Sequence, residues 1–570
     1  MQIVTGIPAS KGIAIGPGFL YQTTEVIPER RIVADVKAEL EHFRLSCAKA
    51  DNELENLFNK AVESVGEEAA EIFQAHRMML QDPEIVQYVE DAILNQKLAA
   101  DYAMYEAAEM NAEMMEALED EYFKARAVDI RDVARRVLRI LHGKEDQEVN
   151  LKQPSIILAE DLAPSDTIQF ERTLILGFFT TRGGTTSHTA ILSKAMGIPA
   201  VVGGGEIPSN LKPGSVLIID GDNGKLIIDP DQRTLTNYHE KQEEQLALYH
   251  QEMQSAHDPA ITIDGHEVEV VANIGNRLDA EDAVAKGAEG VGLLRTEFSF
   301  IEDNVIPDEE SLMKTYQGML SPFGDDPVVV RTLDIGGDKE MPHLQLPVES
   351  NPFLGCRGIR LCFDKLDLFK LQLRAILRAG EKTNLCIMFP MVATVDEVGQ
   401  AKAILKEIME ALESEDLPFN HNPQVGIMIE VPSAAVCADQ LAEVVDFFSI
   451  GTNDLTQYTM AADRTNANVA YLISAMQPAV IRLVAKVIED GHAAGIWVGM
   501  CGEMAGDLTA IPILLGLGLD EFSMTSPLIP AAKEIIRKWD TRQAKLLAEQ
   551  AMACKSPQEV KELVENWQTQ

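Results

Sequence analysis

The sequence predicts a multidomain α/β protein: an α/β domain that carries an inserted helical bundle, followed by a (β/α)8 barrel of the TIM type. Three observations predict it. The chain has 570 residues, too many for one hydrophobic core. Residues 30–142 hold one proline, Pro83, and one interior glycine, Gly66, in long stretches of Ala, Glu, Leu, Met and Lys. After residue 260, eight apolar strand-like runs alternate with helical stretches over about 310 residues, a spacing that suits a barrel. A doubly wound sheet would show the same alternation.

Taken in order, GIPASKGIAIGPGFLY near the start reads as short strands and turns. The helical stretch follows; VKAELEHFRLSCAKADNELENLF and VDIRDVARRVLRILHG keep apolar residues at i, i+3, i+4 and i+7. Within it QDPEI sets a break, with Asp82 as N-cap and Pro83 at the first helical position. Strands return at PSIILAEDL, TLILGFF and AVVGGG, then at SVLIIDGDNGKLIIDP, whose DNG is a hairpin signal. The charged segment YHEKQEEQLALYHQEMQSAHD reads as a connecting helix. The boundaries expected are 1–20 plus 145–230 for the α/β domain, 30–142 for the insertion, 231–260 for the connector and 261–570 for the barrel. Hinges are expected in the connector and at the crossings near 21–32 and 143–150.

Apolar content of 46% and charged content of 24% are ordinary for a globular chain, but the net charge of −41 is not. It argues against nucleic acid, whose phosphates want Lys and Arg. It suits either a positively faced protein partner or simple solubility. MQIVTGIPASKG lacks the basic and long apolar regions of a signal peptide, and the longest apolar run, AIPILLGLGL, is too short to span a bilayer. Seven cysteines without a C-x-x-C pair suit a reducing compartment, so a cytoplasmic location with no direct membrane insertion is expected.

Chemistry in such barrels collects at the C-terminal ends of the strands. Those ends carry Arg295, Thr296 and Glu297; Arg331, Asp334 and Lys339; Glu430; Asn453, Asp454 and Gln457; Cys501 and Glu503. Arg357 and Arg464 lie in the loops that follow the third and sixth strands. Arginines match phosphate and carboxylate bidentately. Carboxylates with an amide oxygen suit a hard divalent cation, Mg²⁺ or Mn²⁺. Together they describe a phosphorylated, acidic small substrate bound with a metal. Cys501, in GMCGEMAG, is either a small buried hydrophobe or a thiol that gives and takes a proton. No P-loop and no G-x-G-x-x-G after a strand is present, so a nucleotide donor is not expected.

A second candidate is TRGGTTSHTA, residues 181–190. A helix begins close to His188, and helix N-termini favour anions. Gly183 and Gly184 permit close approach, and the hydroxyls of Thr185, Thr186, Ser187 and Thr189 could donate to a phosphoryl group on the imidazole. A capping loop with a structural histidine would read the same way.

GGTTSHTAIL resembles the phosphohistidine signature of the phosphoenolpyruvate-utilising enzymes, and DFFSIGTNDLTQYTMAADR resembles their second signature. EGVGLLRTEFSF, VVRTLDIGGDKE, NPFLGCRGIR and GMCGEMAGD are similarly close. End to end, the chain resembles the Enzyme I family of the bacterial phosphotransferase system, the phosphoenolpyruvate–protein phosphotransferases. The resemblance implies that residues 1–20 and 145–230 form a swivelling phosphohistidine domain with His188 as nucleophile. It implies that phosphoenolpyruvate is held by Arg295, Arg331, Arg357, Asn453, Asp454 and Arg464, that Glu430 and Asp454 bind Mg²⁺, and that Cys501 protonates the enolate. It implies that phospho-His188 passes its group to the histidine-containing phosphocarrier protein HPr, which docks on the helical domain around Glu67, Glu68 and His76 and near Arg126 and Arg131. It also implies a homodimer through the barrel. The chain departs from the family where Thr185 replaces an Arg, with Arg182 just before the glycines, where Lys194 replaces another Arg, and in TNANVAYLISAMQPAV. Dikinases and synthases that share both signatures need an ATP-grasp domain, for which this chain has no room.

Overall fold

The protein is described from a computed structural model that covers residues 1–570 except 22–26, 66, 117–120, 145–150, 152, 164, 167–169, 185–186, 207–210, 213, 302–305, 337–348, 465, 467–468 and 569–570. Lys339, Thr185, Thr186 and the 22–26 and 145–150 parts of the expected crossings near 21–32 and 143–150 therefore lie outside the described residues, as does the side chain of His188. The chain forms two compact units, Met1–Leu248 and Tyr249–Gln570.

The first unit is built on an eight-stranded sheet ordered β1-β8-β7-β3-β4-β5-β6-β2. Its centre is parallel: β3 (Ile13–Leu20), β4 (Ser155–Ala159), β5 (Ile175–Thr180) and β6 (Ala200–Val202). The flanks are antiparallel: β1 (Gln2–Thr5), β2 (Ile7–Ser10), β7 (Val216–Asp220) and β8 (Lys225–Ile228). The DNG segment turns β7 back onto β8, as its sequence predicts. Neighbouring parallel strands need a crossover connection. Between β3 and β4 that connection contains the whole bundle: α1 (Val36–Val65), α2 (Glu67–Leu80), α3 (Pro83–Gln96), α4 (Ala100–Glu116) and α5 (Glu121–Leu141). Its core is a stripe of Phe43, Leu54, Phe73, Val89, Ile93 and Val137. Asp82 caps α3 by accepting from the Glu84 N–H at 2.8 Å, with Pro83 first in the helix, as read from QDPEI. The connector is one helix, α7 (Gln232–Gln254), after the short α6 (His188–Met196).

The second unit is a closed barrel. Eight parallel strands, β10 (Glu267–Ile274), β11 (Val291–Leu294), β12 (Pro327–Arg331), β13 (Asn384–Phe389), β14 (Gln424–Ile429), β15 (Phe447–Ile450), β16 (Trp497–Met500) and β17 (Glu521–Met524), pair in sequence, and β10 closes on both β11 and β17. A two-residue strand, β9 (Ala260–Ile261), adds antiparallel to β10. Closure excludes the doubly wound alternative. Outward-facing residues such as Val270, Ile387 and Ile427 pack under the surrounding helices, while Leu293, Val329, Met388, Met428 and Phe447 fill the inside. No helix among the described residues is long and apolar enough to cross a membrane.

Candidate functional site

Seven residues singled out at the barrel strand ends stand on one face. Arg331 ends β12 and Asp334 follows it; Arg295 and Glu297 follow β11; Glu430 follows β14; Asp454 opens the helix after β15; Cys501 follows β16. Arg357 is brought in from its loop. Its guanidinium is bidentate to Asp334, at 3.1 Å and 3.3 Å, and reaches Asp454 Oδ1 at 3.1 Å. Arg331 pairs with Glu297 at 2.7 Å and with Asp334 at 3.2 Å. Asp334 thus bridges two buried guanidiniums, and the Arg464 head stands 3.8 Å from Asp454. Arg357 and Arg464 both lie over the Phe353 ring, 5.9 Å and 5.7 Å from its centre.

The arginines differ in what they have left to give. Arg331 and Arg357 are held by carboxylates, so they supply fixed positive charge. Burial works against those charges, but Glu297, Asp334, Asp454 and Glu430 together raise both guanidiniums above the usual range. Arg295 is half-buried, and its side chain has no hydrogen bond or ion pair among the described residues. It is an open donor of the face. Asn453 Oδ1 accepts from the Glu503 N–H at 3.0 Å, which fixes its amide.

Glu430 is 1% exposed, and its Oε1 accepts from the Met391 N–H at 2.6 Å. Burial, then the carboxylates of Asp454 and Asp334, push its carboxyl up from the ordinary range. Crowded acidic oxygens in a buried site are what a hard divalent cation relieves, so Glu430 and Asp454 fit one. The Cys501 thiol is 5% exposed. Burial raises it to about 11, against the pull of Ser449 and Arg331. It is therefore a thiol at neutral pH, with a proton to give.

Behind the mouth lies a support that the sequence reading did not single out. Gln372, wholly buried on the helix Leu366–Ala379, accepts from the Leu333 N–H at 2.9 Å and donates to Thr296 at 2.8 Å. The Thr296 hydroxyl donates to the Arg331 carbonyl at 2.8 Å. Gln372 sits in an amphipathic pattern that marks it only as inward-facing. Phe353 and Tyr458 were missed as well; the Tyr458 hydroxyl donates to the Phe353 carbonyl and lies 3.3 Å from Arg357.

The second candidate region sits in the first unit. Ser187 caps α6, accepting from the Ala190 N–H at 3.4 Å, so the helix begins at His188 as expected. Gly183 has φ +94°, and the glycines after β6 close on it. Gly203 has φ +62°, and a Cβ there would stand 2.8 Å from the Gly183 carbonyl. Arg182 pairs with Glu160 at 2.8 Å on the surface, and Lys194 lies in the last turn of α6, at the end away from His188.

On the helical bundle, Arg131 is held by Glu109 at 3.1 Å, and Arg126 lies 3.5 Å from Asp129. The side chains of Glu67 and Glu68 lie outside the described residues. His76 is not on an open face. It is fully buried, with its ring nitrogens 3.3 Å from Asp129 and 3.7 Å from Asp132. Asp132 also accepts from Ser165 at 2.7 Å, tying α5 to the loop after β4.

Three family descriptions match the chain: "PEP-utilising enzyme, PEP-binding domain" over residues 249–541, "PEP-utilising enzyme, N-terminal" over 5–126, and "PEP-utilising enzyme, mobile domain" over 151–224. Among curated relatives, the "Phosphoenolpyruvate-protein phosphotransferase" of Bacillus sp. (strain S) is 47% identical over 565 residues, 98% of this chain and 97% of that one. The protein of the same name from Bacillus subtilis (strain 168) is 46% identical over 561 residues, 98% of each chain. That from Staphylococcus carnosus (strain TM300) is 45% identical over 566 residues, 99% of each.

Proposed function

We propose, from the premise that this chain belongs to the phosphoenolpyruvate-utilising enzymes and is a phosphoenolpyruvate-protein phosphotransferase, that its barrel mouth and His188 are the two stations of one phosphoryl relay. The observation that carries this reading is the convergence of Arg295, Arg331, Arg357 and Arg464 with Glu430, Asp454 and a protonated Cys501 on one face of the barrel.

The arginines hold the phosphate and carboxylate of phosphoenolpyruvate, with Arg295 the uncommitted donor and Arg331 and Arg357 a fixed positive wall. Asn453 and Asp454 complete the substrate contacts. Glu430 and Asp454 would hold a divalent cation, Mg²⁺ or Mn²⁺, which would supply neutralisation of the charge that develops in the transfer. The His188 imidazole attacks phosphorus; the P–N bond forms, the bridging P–O bond breaks, and the electron pair leaves with the enolate. Cys501 gives its thiol proton to C3 of the enolate, yielding pyruvate. Phospho-His188 then passes its group to a histidine of the phosphocarrier HPr, the step that starts sugar uptake and phosphorylation. Residues 1–20 with 145–230 are assigned as the phosphohistidine domain, 30–142 as the carrier-binding domain, 231–260 as the connector, and 261–570 as the substrate-binding and dimerisation domain. A homodimer through the barrel is carried over from the family resemblance, and a cytoplasmic location from the unpaired cysteines.

The test is the choice of donor. The full-length protein with Mg²⁺ is expected to take acid-labile label from [³²P]phosphoenolpyruvate, release one pyruvate per label, and take none from [γ-³²P]ATP. Labelling by ATP alone would contradict the reading.

A further inference from the structure

Glu521 is the first residue of β17 and is 1% exposed, yet neither carboxyl oxygen has a hydrogen-bond partner among the described residues. Its side chain points into the barrel. A Cβ on Gly292 would stand 2.7 Å from Glu521 Oε1, and a Cβ on Gly499 would stand 2.6 Å from it. β11, which carries Gly292, is separated from β17 by β10, so an oxygen close to both glycines lies inside the ring. Two glycines have cleared a space for one buried carboxyl.

That space lies directly beneath the thiol. Gly499 is in register with Glu521 on the neighbouring strand, and Cys501 is two residues further along, on the same inward face. Glu521 Oε1 therefore occupies the place of the missing Gly499 side chain, one inward row, roughly 7 Å along the strand, below Cys501. Small polar groups fill the gap. Ser523 Oγ would stand 2.5 Å from the same Gly292 Cβ, which puts it within a single water bridge of Glu521. Ser523 donates to Asn273 Oδ1 at 2.7 Å, and the Asn273 amide donates to the Cys501 carbonyl at 3.1 Å. Ser449 stands beside the thiol itself.

The other titratable groups around Glu521 are few. Glu269, in register with it on β10, is exposed at the far end of the barrel. Asp520 is occupied by His492 and by the Val498 N–H. Cys386 is fully buried on β13, and Arg331 stands above, held by its carboxylates. Burial, then Glu269 and Asp520, push the Glu521 carboxyl up to about 8, so it carries a proton at neutral pH. Burial pushes the Cys386 thiol to about 12, too high to donate.

We propose that Glu521 is the internal proton reservoir for Cys501, delivering a proton from beneath after the thiol has protonated the enolate. This rests on the reading of Cys501 as the enolate's proton donor. The Cys501 S–H bond breaks as the C3–H bond of pyruvate forms. The Glu521 O–H bond then breaks as the S–H bond re-forms, the proton passing along bridging water and the Ser523 hydroxyl. The carboxylate left behind takes a proton from water at the Glu269 end. The transfer runs downhill, from a carboxyl at about 8 to a thiol at about 11.

The test is phosphoenolpyruvate–pyruvate exchange in D₂O by the full-length enzyme with Mg²⁺, with carboxyl-labelled pyruvate to count exchange events. The readout is deuterium gained by the pyruvate methyl group per event, a ratio that cancels any change in the exchange rate itself. Wild type is expected to show a high ratio at about pH 7 that falls as pH rises through about 8, where Glu521 loses its proton. E521Q should lower the ratio at least tenfold at every pH, and E521D should restore part of it. An E521Q ratio equal to wild type would overturn the proposal. Should E521Q fail to fold, a wild-type ratio that stays flat from about pH 6 to 9.5 overturns it instead. A wild type that exchanges no label overturns the proposed function, and this inference with it.

Discussion

Asp334 sits between two guanidiniums, and its removal tests whether the arginine wall is built for charge or for shape. Asp334→Asn keeps the shape but leaves Arg331 and Arg357 short of a counter-charge. The expected cost is about 3–5 kcal/mol of stability with a raised KM for phosphoenolpyruvate, read by chemical denaturation and steady-state kinetics. Cys501→Ala should still bind phosphoenolpyruvate but make pyruvate about 10²–10⁴-fold more slowly, the usual worth of a positioned proton donor. Quenched-flow measurement of pyruvate, with substrate binding by calorimetry, checks both halves; normal turnover would remove the thiol from the mechanism. Glu521 carries a pH signature of its own. Its carboxyl is raised from 4.5 to about 8, so the folded state holds a proton that the unfolded chain has lost. Stability should fall as pH rises from about 4.5 to about 8, and E521Q should flatten that slope in urea titrations. These side chains were unequally legible. Arg331, Glu430 and Cys501 announce themselves because each follows an apolar run, where barrel chemistry gathers. Gln372, Phe353 and Glu521 do not, because alternation says that a residue is inward without saying what it will meet. His76 reads as surface in its sequence and is buried between two aspartates, since an amphipathic helix fixes a face but not its partner.

At the scale of elements, the eight barrel strands are legible because each is a short apolar run of a parallel sheet covered on both sides. The helical insertion is legible from its period and its lack of glycine. The order of the first sheet is not, because β1 and β2 are four-residue edge strands whose partners, β8 and β6, lie some 200 residues away. The loop before α6 was half legible: the glycines and hydroxyls mark a turn or an anion cradle alike. In its described part Gly203 presses on the Gly183 carbonyl and Ser187 caps the helix at His188, features that both readings share. Gly203→Ala puts a Cβ into that contact at positive φ and should distort the loop. Self-phosphorylation is expected to fall sharply while the barrel still binds phosphoenolpyruvate, read by labelling and calorimetry on the same preparation. Ser187→Ala should cost about 0.5–2 kcal/mol through the lost cap, seen as a lower Tm of the first unit.

At the scale of the molecule, the division into Met1–Leu248 and Tyr249–Gln570 puts His188 and the barrel mouth, the two proposed stations, on separate compact units. Each should keep its own half of the chemistry. A fragment of residues 1–248 is expected to accept phosphate from phosphorylated HPr and to refuse it from phosphoenolpyruvate. Direct labelling of that fragment by phosphoenolpyruvate would remove the need for the barrel. The net charge of −41 fits delivery to a positively faced carrier, whose association rate should then drop with added salt. The central claim is that one histidine links the two stations, and peptide mapping of the phosphorylated protein tests it most directly. After reaction with [³²P]phosphoenolpyruvate and digestion under alkaline conditions, the label should be found on the peptide that contains His188, and His188→Ala should take none. Label on another residue, or undiminished labelling of His188→Ala, would contradict the account.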